Sequence, residues 1–278
     1  MIRILVDSSS DYLVEEALNN NIEMIPISIT VGECTYIDGQ NITRNDFFEL
    51  LINSREFPKT SQPSPQIFLD IFEDAKQKGD DLIYIALSSG LSGTYQTAMM
   101  AKNMVGYENI YIIDSLTATF AIKVMADHAR ALVGQGVSAP EIVFRIEALK
   151  SHVKVLAALD TLEYLAKGGR LNKGVAAIGN LANIKPVIAL SGDGGISVLG
   201  KALGRNKAGS LVLQHLHQFT IDDSFPIYPI YSYGTVNCER FEEHLKAENF
   251  SIEERRQIGP TIGTHIGPEA FGVIFVSK

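Results

Sequence analysis

Across the first 150 residues, short apolar runs alternate with stretches whose apolar residues recur every three to four positions. Residues 2–6, 82–87 and 110–113 are apolar runs that close on polar residues, and they read as strands. Helical spacing marks residues 12–19 and 41–54, a segment opening at Pro65, and others ending near Val105, Gly134 and Lys150. Thr43 and Ser64 stand where N-caps are expected, and Pro65 suits a first helical turn. Residues 22–31 read as one strand around Pro26. Repeated strand–loop–helix units predict a parallel sheet with helices on both faces.

The second half has a different rhythm. Strands are predicted at 153–158, 185–190, 196–200, 227–233, 257–262 and 272–276, with a hairpin at Gly192-Asp193-Gly194-Gly195. Helices are predicted at 162–166, stopped by Gly168-Gly169, and at 176–182, 207–219 and 241–248. The expectation is an α/β protein in two domains. Residues 1–152 form a parallel-sheet domain, and residues 153–278 a mixed α/β domain with hairpins.

Composition narrows the function classes. The 278 residues are 46 % apolar and 20 % charged, enough for a packed core. A net charge of −8 with interleaved signs argues against nucleic acid as a partner. No apolar leader is visible, and no apolar run approaches the roughly 18 residues of a membrane span, which predicts a cytoplasmic protein. The two cysteines, Cys34 and Cys238, are expected to be free.

Candidate chemistry gathers at strand ends, where ligands of parallel α/β sheets bind. Hydroxyls occupy three of them: Ser8-Ser9-Ser10, Ser88-Ser89 with Ser92, and Ser115 with Thr117. Ser92 and Gly93 precede a helix whose first N–H groups favour an anion, so Ser92 either caps its helix or joins a ligand site. Thr60 and Ser61 lie just before another helix start and are either site donors or ordinary loop residues. His265, in a predicted glycine-bracketed loop at 263–268, and Arg170, after the glycine pair, can each meet a carboxylate or remain surface groups.

Other motifs fail or stay partial. The glycines at 169–174 are followed by Val175, not the Lys-Ser/Thr of a phosphate loop, and no G-x-G-x-x-G follows a strand. That leaves a phosphoryl-transfer enzyme resting on fold analogy alone. His215 and His217, two apart on a predicted helix, face different ways and make no metal pair. Gly90-Leu91-Ser92-Gly93-Thr94 approaches a nucleophile elbow, with Asp160 and His265 following in hydrolase order, but Thr94 replaces the last glycine. A serine hydrolase of acyl esters, using Ser92 and His265, is therefore the alternative reading.

Taken together, seven stretches resemble the DegV family of fatty-acid-binding proteins. They are Asp7-Ser8-Ser9-Ser10-Asp11, Thr60-Ser61-Gln62-Pro63-Ser64-Pro65, SSGLSGTY at 88–95, Ile113-Asp114-Ser115, DTLEYLAKGGR at 160–170, Asn183-Ile184-Lys185-Pro186 and GTHIGP at 263–268. The resemblance implies a non-enzymatic carrier that needs no cofactor and buries a long-chain fatty acid between two domains. It implies that Thr60, Ser61, Ser92, Gly93 and His265 hold the carboxyl group. It further implies a partner fatty acid kinase that forms an acyl phosphate for phospholipid synthesis, Arg170 as a phosphate or kinase contact, and transient membrane-surface contact for lipid exchange. Two departures stand out. Bulky Phe120 and Ile122 occupy a run that is small in the family, which would alter the acyl pocket if this helix lines it. The 202–206 segment is less basic than usual, although Lys201, Arg205 and Lys207 remain.

Overall fold

The computed structural model describes residues 1–171 and 183–278; the predicted helix at 176–182 lies outside them. The parallel sheet is built from β1 (Ile2–Asp7), β2 (Ile22–Ile25), β6 (Asp81–Ala86) and β7 (Ile110–Asp114), in the order β2-β1-β6-β7. The strand expected at 22–31 is two strands. Proline has no N–H for a ladder, so β2 ends before Pro26. The chain then enters an antiparallel sheet, β4-β3-β5, formed by β3 (Ser28–Val31), β4 (Cys34–Ile37) and β5 (Lys59–Ser61).

Period-two alternation sorts the parallel strands between two helical layers. Leu82, Tyr84 and Ala86 face α3 (Pro65–Lys78) and α4 (Thr94–Val105) through Phe68, Phe72 and Ala101. Ile83 and Ile85 turn the other way, toward Ala121 and Met125 of α5 (Phe120–Gly134), which packs beside α6 (Ala139–Leu149). Thr43 caps α2 (Arg44–Asn53), its hydroxyl accepting the Asp46 N–H at 3.2 Å. Ser64 stands at the cap position of α3, but its hydroxyl makes no capping bond.

Six strands form the second sheet: β8 (Val153–Ala158), β9 (Ile184–Leu190), β10 (Ile196–Leu203), β11 (Tyr228–Tyr231), β12 (Arg256–Gln257) and β13 (Phe271–Val276). Their order is β10-β9-β8-β13-β11-β12, antiparallel except for the β11–β12 pair. One face, with Leu156, Val187 and Phe275, packs on α8 (Arg205–Leu216) and α9 (Val236–Ala247). The other face, with Val155, Ala157, Ile188 and Ile230, joins Ile4, Val6 and Ile85 in one apolar core.

The strand predicted at 257–262 is not formed. β12 stops at Gln257, and α10 (Pro260–Ile266) begins after Gly259, so His265 is helical and not in a loop. Pro260 sits in the first turn, where its missing N–H is harmless. The β-branched residues Ile258, Thr261 and Ile262 carry the strand signal, and burial of the helix overrides that propensity. Cys34 is exposed, Cys238 is buried, and both are free.

Candidate functional site

Between the C-terminal ends of the parallel strands and the inner face of the six-stranded sheet lies a cavity of about 420 Å³. Strand alternation supplies its apolar wall. Val155 and Ala157 of β8, and Ile188 and Leu190 of β9, each lie two residues apart and share one face. Ile258, Ile262 and Ile266, from α10 and the residues before it, close another side. Thr60, Ser61, Ser92, Gly93, Arg170 and His265, the six residues singled out in the sequence, all line this same cavity.

These polar residues arrive on separate elements. β5 pairs with β3 and brings up Thr60 and Ser61. The loop from β6 to α4 carries Ser92 and Gly93. α7 (Glu163–Lys167) ends at Gly168 and leads to Arg170. Ser61 is exposed, whereas Leu87, Ala118, Val155 and Ile230 are buried, so polar groups collect at the mouth and apolar ones deeper in.

Thr60 Oγ1 lies 2.9 Å from His265 Nε2, and His265 Nδ1 is buried without a hydrogen-bond partner among the described residues. Burial, with the Arg170 charge second, pushes the His265 imidazole down to about 4. It is therefore neutral at pH 7, offering one N–H and one acceptor nitrogen. Gly168 makes room for the ring, since a Cβ there would collide with Nδ1. The Arg170 guanidinium is aimed by two backbone carbonyls, donating to Leu91 at 3.0 Å and Gly168 at 2.6 Å. The Ser92 hydroxyl lies 2.8 Å from Thr94 Oγ1 and accepts the Thr94 N–H at a long 3.3 Å, so it caps α4 weakly while lining the cavity.

A buried polar layer stands behind the apolar wall. Thr119 and Thr261 line the cavity, but their hydroxyls donate to Asp11 and Asp38. Asp11 also accepts the Gly259 N–H at 2.9 Å, and Asp38 the Thr261 N–H at 3.1 Å. Arg44 donates to the carbonyls of Asp11 and Gln257. The start of α10 is thus fastened to elements near the N-terminus. Thr119 has φ +60° and ψ −152°, a region natural only to glycine. Its N–H bond to Ser9 O (2.8 Å) and its hydroxyl bond to Asp11 hold it there.

The hydrolase arrangement is not assembled. The Asp160 carboxylate meets Lys185 at 2.5 Å and Arg205 at 3.1 Å; against the cost of burial, these cations hold its pKa below the usual range. It does not orient His265, whose Nδ1 has no partner among the described residues. Phe120 and Ile122 do not line the cavity, so the condition under which they would alter the pocket is not met; both are core residues, and Ala118 and Thr119 are the liners from that run. Sequence reasoning missed Gln62, Thr261 and the isoleucines of the α10 region: a lone amide carries no pattern, and the four-residue spacing of Ile258, Ile262 and Ile266 was hidden by their β-branching. Among the described residues there is no metal-binding cluster and no helix long and apolar enough to cross a membrane.

A model of the DegV family of uncharacterised proteins matches residues 1–278. A DegV domain-containing protein of Staphylococcus aureus (strain N315) is 32 % identical over 280 residues, covering 99 % of this chain and 98 % of its own. A structure described as a fatty acid binding DegV family protein from Streptococcus agalactiae superposes with a TM-score of 0.90 at 28 % identity, covering 100 % and 99 % of the two chains. A stearic acid-binding protein from Eubacterium ventriosum gives 0.88 at 27 % identity, with the same coverage.

Proposed function

The chain belongs to the DegV family, and from that membership and the cavity's layout we propose that it binds a long-chain fatty acid, tail inward and carboxyl group at the mouth. One observation carries this reading. A largely apolar cavity opens past Thr60, Ser61, Ser92, Gly93 and His265, five groups able to hydrogen-bond a carboxyl. The S. agalactiae and E. ventriosum neighbours, described as binders of fatty acid and stearic acid, support it.

Affinity comes from the tail. Each buried methylene contributes about 0.8 kcal/mol, so a chain of about 16 carbons gives on the order of 10 kcal/mol before ordering costs. The polar group at the mouth fixes which end faces out. Neutral His265 and the hydroxyls donate hydrogen bonds, and the free end of the α4 dipole adds partial positive charge.

The finer part of the proposal is that the protein acts as a carrier and not as an enzyme. The outward carboxyl is presented to a separate kinase in the cytoplasm for acyl phosphate formation, feeding phospholipid synthesis. Arg170, beside the mouth, contacts the new phosphate or the kinase. Lys185, Arg205, Lys207 and Arg240 line a groove that suits an acidic partner surface. Transient contact with a membrane surface would exchange the lipid, and binding itself requires no cofactor.

Organic extraction of protein purified from a lipid-containing host, followed by mass spectrometry, is expected to release fatty acid. Delipidated protein should gain several degrees in Tm with excess oleate or palmitate. An empty extract together with an unmoved Tm would remove the reading.

A further inference from the structure

We propose that Gln62 is a positioning residue that ties the two hydroxyl-bearing segments of the mouth together and thereby sets selectivity for a carboxyl head group. The inference rests on the fatty-acid reading. Thr60 and Ser61 belong to β5, whereas Ser92 and Gly93 lead into α4. A carboxyl group held from both sides requires a fixed gap between them, and Gln62 spans it. Its Nε2 donates to Thr97 Oγ1 at 2.9 Å, and that hydroxyl donates to Gly93 O at 3.1 Å. Its Oε1 lies flush against Gly93, where any Cβ would collide with it. The relay Gln62–Thr97–Gly93 runs in one direction, with each group's donor matched to the next group's acceptor.

Gln62 itself is exposed at the lip of the cavity, so the core does not depend on it. Its loss loosens the gap while leaving the apolar wall in place. A carboxyl, gripped from both segments, feels that change; an alcohol, satisfied by one partner, does not. Gln62→Glu is a second probe, because it sets a carboxylate against the first turn of α4, where the ligand's own carboxylate would sit.

The experiment measures oleate and oleyl alcohol binding to wild type, Gln62→Ala and Gln62→Glu, with exchange of the Thr97 amide, whose N–H bonds Gly93 O at 3.0 Å, in the ligand-free proteins. Gln62→Ala is expected to lose about tenfold in oleate affinity while oleyl alcohol stays within about twofold. Gln62→Glu should lose more for oleate, and exchange at the Thr97 amide should quicken in Gln62→Ala. Equal losses for both lipids, no loss for oleate, or unchanged exchange would overturn the role. Failure of wild type to bind either lipid would instead overturn the fatty-acid reading, and the exchange rates would still test the relay.

Discussion

Asp11 is a residue whose chemistry departs far from what its type suggests. It is buried next to Asp38, and burial pushes its carboxyl up to about 7, with Arg44, Thr119 and Gly259 opposing the rise and Asp38 adding to it. The folded value exceeds the ordinary 3.8, so the folded protein holds this proton more tightly than the unfolded chain. The resulting stabilisation is complete below pH 3.8 and is lost as pH rises through 7. Between pH 5 and 7 the loss is about 2 kcal/mol. Wild type should therefore lose about that much more stability than Asp11→Asn over this interval, measured by urea unfolding at both pH values. Identical slopes for the two proteins would show that Asp11 does not titrate there. His265 carries the opposite expectation for binding. Its ring is already neutral, so oleate affinity should show no step near pH 6.5, the ordinary histidine value, and a step there would mean that imidazolium is the donor.

At the scale of elements, the site depends on how α7 meets α10. Gly168 follows the last turn of α7, its N–H bonded to Tyr164 O at 2.9 Å, and its bare Cα faces the His265 ring. Gly168→Ala leaves the backbone angles allowed but drives a methyl into the His265 ring. Overpacking of this kind typically costs about 1–3 kcal/mol. The ring must shift, breaking its bond to Thr60, so oleate affinity should fall along with Tm. A variant with normal affinity would show that His265 can relocate freely. In the sequence, α10 read as a strand and a loop because its β-branched residues are poor helix formers in isolation. What turns 260–266 into a helix is the set of partners waiting for it: Asp11, Asp38 and the core facing Ile266.

For the whole molecule, the shared core is the decisive feature. Ile4 and Val6 near the N-terminus and Ile274 and Val276 near the C-terminus belong to the same apolar cluster. Neither sheet buries its inner face without the other, so the two should unfold together. Cys34 is exposed on β4 and Cys238 is buried, which allows a fluorophore to be placed selectively at Cys34. Urea curves from that probe and from far-UV circular dichroism are expected to coincide. Separate midpoints would mean that the sheets are independent units.

The linear pattern by itself determined the parallel sheet, the mixed sheet and most helix starts, as at Thr43 and Pro65, because period and capping are local properties. It also offered as candidates six residues that line the cavity, while their grouping as a carboxyl site came from the family resemblance. Tertiary structure alone decided the helix that carries His265, the exclusion of Phe120 and Ile122 from the cavity, and the bridging amide of Gln62. Each of these depends on a partner far away in the chain. Burial and pairing across such distances reverse local preference, and no window of neighbouring residues contains that information.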